Sequence, residues 1–103
     1  MTIHCELMDG SCKSCGAEKP DKVHEAIFPA NIPEDRFCDV FYFDYICTAF
    51  LDCHSDADTF RIYGEGFSAG LLAFIKACSI KGKHVIVMHY DSASKHFWCQ
   101  GVV

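Results

Sequence analysis

Asp39-Val-Phe-Tyr-Phe-Asp-Tyr-Ile-Cys-Thr-Ala-Phe-Leu51 is an apolar run broken by two acids, and its reading decides how the rest of the chain is arranged. Under period-2 alternation, Phe41, Phe43, Tyr45, Cys47, Ala49 and Leu51 fall on one face. Val40, Tyr42, Asp44, Ile46, Thr48 and Phe50 fall on the other. The first face is almost wholly apolar, so residues 39–51 read as a long strand with that face toward the core.

Downstream, Asp52 to Asp58 form a polar loop, and Thr59 to Gly64 read as a second strand with Phe60 and Ile62 inward. Gly64-Glu65-Gly66 breaks it. Ser68 suits an N-cap, and residues 69–81 form a helix that stops before Gly82. Phe67, Leu71, Phe74, Ile75 and Cys78 make its apolar stripe, with Ala69, Ala73 and Ala77 beside it. Leu72 widens the apolar girth beyond what one sheet needs, which calls for cover by the N-terminal segment or by a partner. His84 to Tyr90 and Lys95 to Val102 complete the strands. The expected fold is a single α+β domain over residues 1–103. Its four-stranded, mostly antiparallel sheet has ββαββ order, with one helix on a face and a zinc-stapled N-terminal segment. Residues 1–37 form the knuckle segment and residues 38–103 the core. The strands at 59–64 and 84–90 are also permitted as parallel neighbours through the helix.

Upstream stands Cys5-x6-Cys12-x2-Cys15, followed by Gly16. Two thiolates two residues apart can hold one ion from a tight turn, and the glycine lets the backbone curl behind them. Cys12-Lys13-Ser14-Cys15-Gly16 resembles the first knuckle of zinc-ribbon and treble-clef proteins, which implies a structural Zn²⁺. The expected ligands are Cys5, Cys12, Cys15 and His24, with His4, Cys38, Cys53 and His54 as other candidates for the fourth. A short helical turn is expected between Lys22 and Phe28. Pro29 and Pro33 then hold an extended segment leading to Phe37. A metal would supply what this small, weakly periodic segment cannot bury.

Eight cysteines in 103 residues, with no basic and apolar leader at the start, point to reduced thiols and metal ligands in the cytoplasm rather than a disulfide framework. No apolar run reaches membrane-spanning length. Fourteen acids against nine Lys and Arg leave a net charge of −5, which argues against broad binding to nucleic-acid phosphates and favours a partner protein with a basic surface. A second copy of the chain is the other candidate partner.

Three further constellations invite a functional reading. Asp52-Cys53-His54 places a thiol beside an imidazole, but sequence neighbours point apart, and the surrounding acids oppose thiol activation. In a hairpin closed at Ser92-Ala93, His89 would face His96, with Val87 and Trp98 pairing next along the same face as a contact patch. Gly64-x-Gly66-x3-Gly70 mimics a dinucleotide fingerprint. Its spacing is wrong, however, and Glu65 would sit against a pyrophosphate, so the glycines read as a sharp turn and a close helix approach. The expectation is a small acidic, non-enzymatic protein-binding module that contacts its partner through His89, His96, Trp98 and Leu72. In general character it resembles phage-encoded inhibitors of host defence complexes. A zinc-knuckle nucleic-acid binder and a Cys/His-dependent enzyme are the alternatives.

Overall fold

The computed structural model describes residues 1–36, 38–64 and 66–103; Phe37 and Glu65, both used in the sequence reading, lie outside the described residues. The chain runs β1 (Thr2–Met8), α1 (Ser11–Ser14), β2 (Glu25–Phe28), a 3-10 turn (Glu34–Arg36), α2 (Val40–Cys53), β3 (Thr59–Tyr63), α3 (Ser68–Ile80), β4 (His84–Asp91) and β5 (His96–Gly101). This is an α+β fold on one five-stranded mixed sheet in the order β2-β1-β3-β4-β5. β1 is parallel to both β2 and β3, β3 is parallel to β4, and β5 alone runs antiparallel, against β4. The sheet is therefore mostly parallel and five-stranded, not the four-stranded, mostly antiparallel sheet expected. The parallel β3–β4 pair joined through a helix is the arrangement that the crossover rule permitted.

The largest departure is the stretch at 39–51, which is helical. Asp39 caps α2: its Oδ1 accepts from the backbone N–H groups of Phe41 and Tyr42, each at 3.1 Å. At helical spacing, Phe43, Cys47 and Leu51 fall on one line and are buried. The apolar residues on both faces of the supposed strand are thus a buried stripe with flanks.

The second departure is at the start. Residues 2–8 are no appended arm but a strand inside the sheet, between β2 and β3. Ile3, Cys5 and Leu7 face the same way as Phe60, Ile62, Val85 and Val87, and α2 and α3 cover that face. β2 replaces the helical turn expected between Lys22 and Phe28. Because β2 and β3 flank β1, the chain reverses direction at β1. Right-handed crossovers then place the α1 segment on the opposite face from α2 and α3. On that opposite face Cys12 and Val23 pack on Tyr63 and Met88.

α3 packs against α2 as well as the sheet, so Ala73 and Ala77 meet a helix rather than an outside partner. Lys76 and Lys81 bridge to Asp44 and Asp52 across that seam, at 2.9 and 3.3 Å. Gly70 allows the close approach foreseen for it: a Cβ there would overlap the rings of Phe67 and Phe28. The core beneath is strongly aromatic, with Phe74 edge-on to Phe60 at 5.5 Å and to Phe50 at 5.9 Å.

Candidate functional site: the turn after the first strand

In doubly wound sheets, ligand sites form at the carboxyl ends of the strands where the winding reverses, which here is the turn after β1. The turn starts at Asp9, whose N–H bonds Phe28 O at 3.0 Å, and passes through Gly10 at φ 85°. Ser11 then points into the sheet end. Its Oγ accepts from Met8 N–H and donates to Tyr63 O, both at 3.4 Å. Gly64, at φ 94°, leaves room for it; a Cβ at Gly64 would overlap the Ser11 side chain. The β1 and β3 turns are thus locked together.

Beneath the turn lies Glu6, a carboxylate only 3% exposed. A buried carboxylate needs hydrogen bonds, and the turn supplies them. Glu6 accepts from Cys12 N–H at 3.0 Å and from Gly10 N–H at 3.4 Å. The Cys12 thiol stands near this carboxylate. Burial, then the charge and hydrogen bond of Glu6, push that thiol up to about 12. Cys15 closes the turn half-buried, its Sγ donating to Cys12 O at 3.1 Å. Outside Glu6 a cleft of about 640 Å³ opens between the turn and the following loop, lined by Asp9, Lys13, Ala17 and Lys19 among others.

The zinc set expected here does not assemble. Among the described residues no group of three or more His, Cys, Asp or Glu side chains converges to hold an ion. The reason is strand alternation: Cys5 points into the core under the helices, whereas Cys12 lies on the other face. Burial pushes the Cys5 thiol up as well. His24 is exposed, on a groove that it shares with Glu6 and Lys19.

Next to the turn, this face carries Tyr63 and Arg61, which the sequence reading passed over, beside His4, which it named only as a possible zinc ligand. His4 Nδ1 lies 3.0 Å from Tyr63 Oη. Arg61, half-buried, donates to Met88 Sδ at 3.5 Å. Burial first, then the charges of Lys22 and Arg61, hold His4 below its ordinary value. The signal was present in the alternation of Thr2–Met8, which sets His4 and Glu6 opposite Ile3, Cys5 and Leu7.

The other constellations resolve differently. His54 turns away from Cys53 and pairs with Glu25 at 2.9 Å, its ring against Phe50. In the hairpin, Asp91 pairs with His96, so His89 faces Trp98 rather than His96. The cause is a four-residue turn, 92–95, closed by Lys95 in the left-handed region at φ 59°. The His89 and Trp98 rings stack at 4.3 Å, and His89 Nε2 lies 3.0 Å from Gln100 Oε1. His89, His96 and Trp98 share the helix-side face of the sheet, and Leu72 lies on the outward face of α3. No protein-family model, curated protein or solved structure matches the chain.

Proposed function

We propose that the chain is a small acidic protein-binding module, and that the helix side of the sheet is its contact face. One observation carries this reading. Among the described residues away from the two termini, the large exposed apolar side chains all stand on that side: Val40, Phe41 and Tyr45 on α2, Leu72 and Ile80 on α3, and Trp98 on β5. Phe41 is 82% exposed and Ile80 76%, so these are whole side chains in water and not edges of the core. α3 stops short of covering β5. Trp98 therefore stands on an edge strand, half-exposed and stacked on His89. An exposed indole stacked on an imidazole has the composition of an interface hot spot.

The net charge of −5 favours a partner with a basic surface, such as one that handles nucleic acid. Occupying such a surface is how a phage-type inhibitor of a host defence complex would act. Among the described residues no helix is long and apolar enough to cross a membrane. The test is to purify the chain from its own cells with whatever binds it and to repeat this with Trp98→Ala and Leu72→Ala. A stoichiometric partner that Trp98→Ala releases at least ~10-fold more readily, with melting unchanged, supports the reading. A partner retained equally by the double variant would contradict it. The mass of the purified chain alone separates a foreign partner from a second copy.

A further inference from the structure

Cys12 and Cys15 stand apart from the other six cysteines. Cys5, Cys47 and Cys78 are buried in the helix-side core, and Cys38, Cys53 and Cys99 are exposed. Cys12 and Cys15 lie three residues apart on one turn, where side chains are neighbours with Cβ atoms about 5–6 Å apart. The Cys15 sulfur is folded back to 3.1 Å from Cys12 O. The pair is graded in access, with Cys15 half-buried at the surface and Cys12 fully buried behind it. A buried carboxylate, Glu6, accepts from the backbone N–H of the inner cysteine at 3.0 Å and also lines the cleft outside. Closing a disulfide needs Cβ atoms at about 3.5–4.5 Å, so the turn must tighten by roughly an ångström. α1 is only four residues long, and glycines in the left-handed region, Gly10 and Gly16, stand on either side of it. Such a turn can give by that amount.

We infer that Cys12 and Cys15 are a thiol–disulfide exchange pair, with Cys15 attacking, Cys12 resolving and Glu6 serving the inner thiol, and that the oxidant is a small or peptide disulfide reaching half-buried Cys15 from solvent. Cys15 gives its proton to water, and the thiolate attacks one sulfur of the external disulfide. That S–S bond breaks, the first external thiolate leaves and takes a proton from water, and Cys15 is left in a mixed disulfide. Cys12 then passes its proton to Glu6 and attacks the Cys15 sulfur. The mixed S–S bond breaks, and the second external thiolate leaves with the proton that Glu6 held. One external disulfide is reduced to two thiols, and two protein thiols are oxidised to one disulfide. This site lies on the face opposite the proposed contact surface and does not depend on it.

The test uses the full chain equilibrated in glutathione buffers of graded ratio, quenched with acid, alkylated and mapped by mass spectrometry. The expected result is a Cys12–Cys15 disulfide that forms and reverses with the ratio. Cys12→Ser should trap glutathione on Cys15, and Cys15→Ser should leave Cys12 without an adduct. Glu6→Gln should slow closure of the mixed disulfide by ~10-fold or more while the fold, checked by circular dichroism, is kept. The inference is overturned if no Cys12–Cys15 disulfide forms at any ratio, if oxidation maps to other cysteines, or if the purified chain carries one zinc that shields both thiols. An unchanged closure rate in Glu6→Gln overturns the part given to Glu6.

Discussion

The two faces of the sheet arise from the same alternation along β1, β3 and β4, yet they carry different things. Under α2 and α3 the inward residues are Cys5, Leu7, Phe60, Ile62, Val85 and Val87, all buried and all apolar. On the other face Glu6, His4, Arg61, Tyr63 and Met88 are covered by the four-residue α1 and the chain up to Val23, with Phe97 of β5 beside Tyr63. A thick apolar cover leaves no partner for a charge and selects against one. A thin cover made of turns offers backbone N–H groups and nearby water, so it can carry a carboxylate, an imidazole and a guanidinium. The buried carboxylate and the partly buried His4 and Arg61 gather on the thinly covered face, whereas the exposed apolar side chains gather outside the thick one.

Substitutions can break this contrast, and the largest effect belongs under the helices. Phe74→Ala should cost ~3–5 kcal/mol in urea unfolding, because it removes a fully buried ring packed edge-on to Phe60 and Phe50. A cost near zero would mean that α3 does not seat on the sheet. On the thin side the sensitive point is a backbone one. Gly64→Ala should cost ~1–3 kcal/mol for its left-handed backbone, and more for the overlap with Ser11. Adding Ser11→Gly should recover the overlap part only. If the two changes add independently, the β1 and β3 turns are not locked. Tyr63→Phe, which frees His4 from its hydroxyl partner, should cost only ~0.5–1.5 kcal/mol.

The pH dependence sharpens the same contrast. His4 is held below its ordinary value of 6.5, so between its lowered folded value and 6.5 the unfolded chain binds more protons than the folded one. Stability should therefore fall as pH drops through that window. Above it His4 should contribute no pH dependence. Denaturation of wild type and His4→Gln across this range should differ in slope only below about pH 6.5. Parallel curves throughout would place His4 in open water. The smallest effect is expected outside the helices, where Trp98→Ala should change stability by no more than ~0.5 kcal/mol, leaving its effect to appear in binding.

How far the fold can be read from the chain depended on whether local pattern and tertiary role agreed. β3, α3 and β4 were legible because glycines at 64, 66 and 82 punctuate them and their periods are clean. Residues 39–51 were not, because apolar residues on every side satisfy a period of two as well as one of 3.6. The signals for a helix were Asp39 in the capping position and a length well beyond an ordinary strand. β1 was hidden by its own chemistry. Cys5 looked like a ligand, which masked Ile3, Cys5 and Leu7 as one face of a strand. In the site, Cys12 and Cys15 were visible as a pair. Glu6 and Ser11 were not, since their roles exist only when the turn after β1 meets Gly64 and folds over the sheet end. The hairpin register failed on a single residue, Lys95, whose left-handed backbone permits a four-residue turn.

The account depends most on Cys5 and Cys12 lying on opposite faces of an inner strand, out of each other's reach and out of water. Native-state alkylation of all eight thiols, read residue by residue by mass spectrometry, tests this directly. Cys38, Cys53 and Cys99 should be modified first, Cys15 more slowly, and Cys5, Cys12, Cys47 and Cys78 only on unfolding. Joint protection of Cys5, Cys12 and Cys15 that a chelator releases together would contradict it, as would modification of Cys5 at the rate of the exposed thiols.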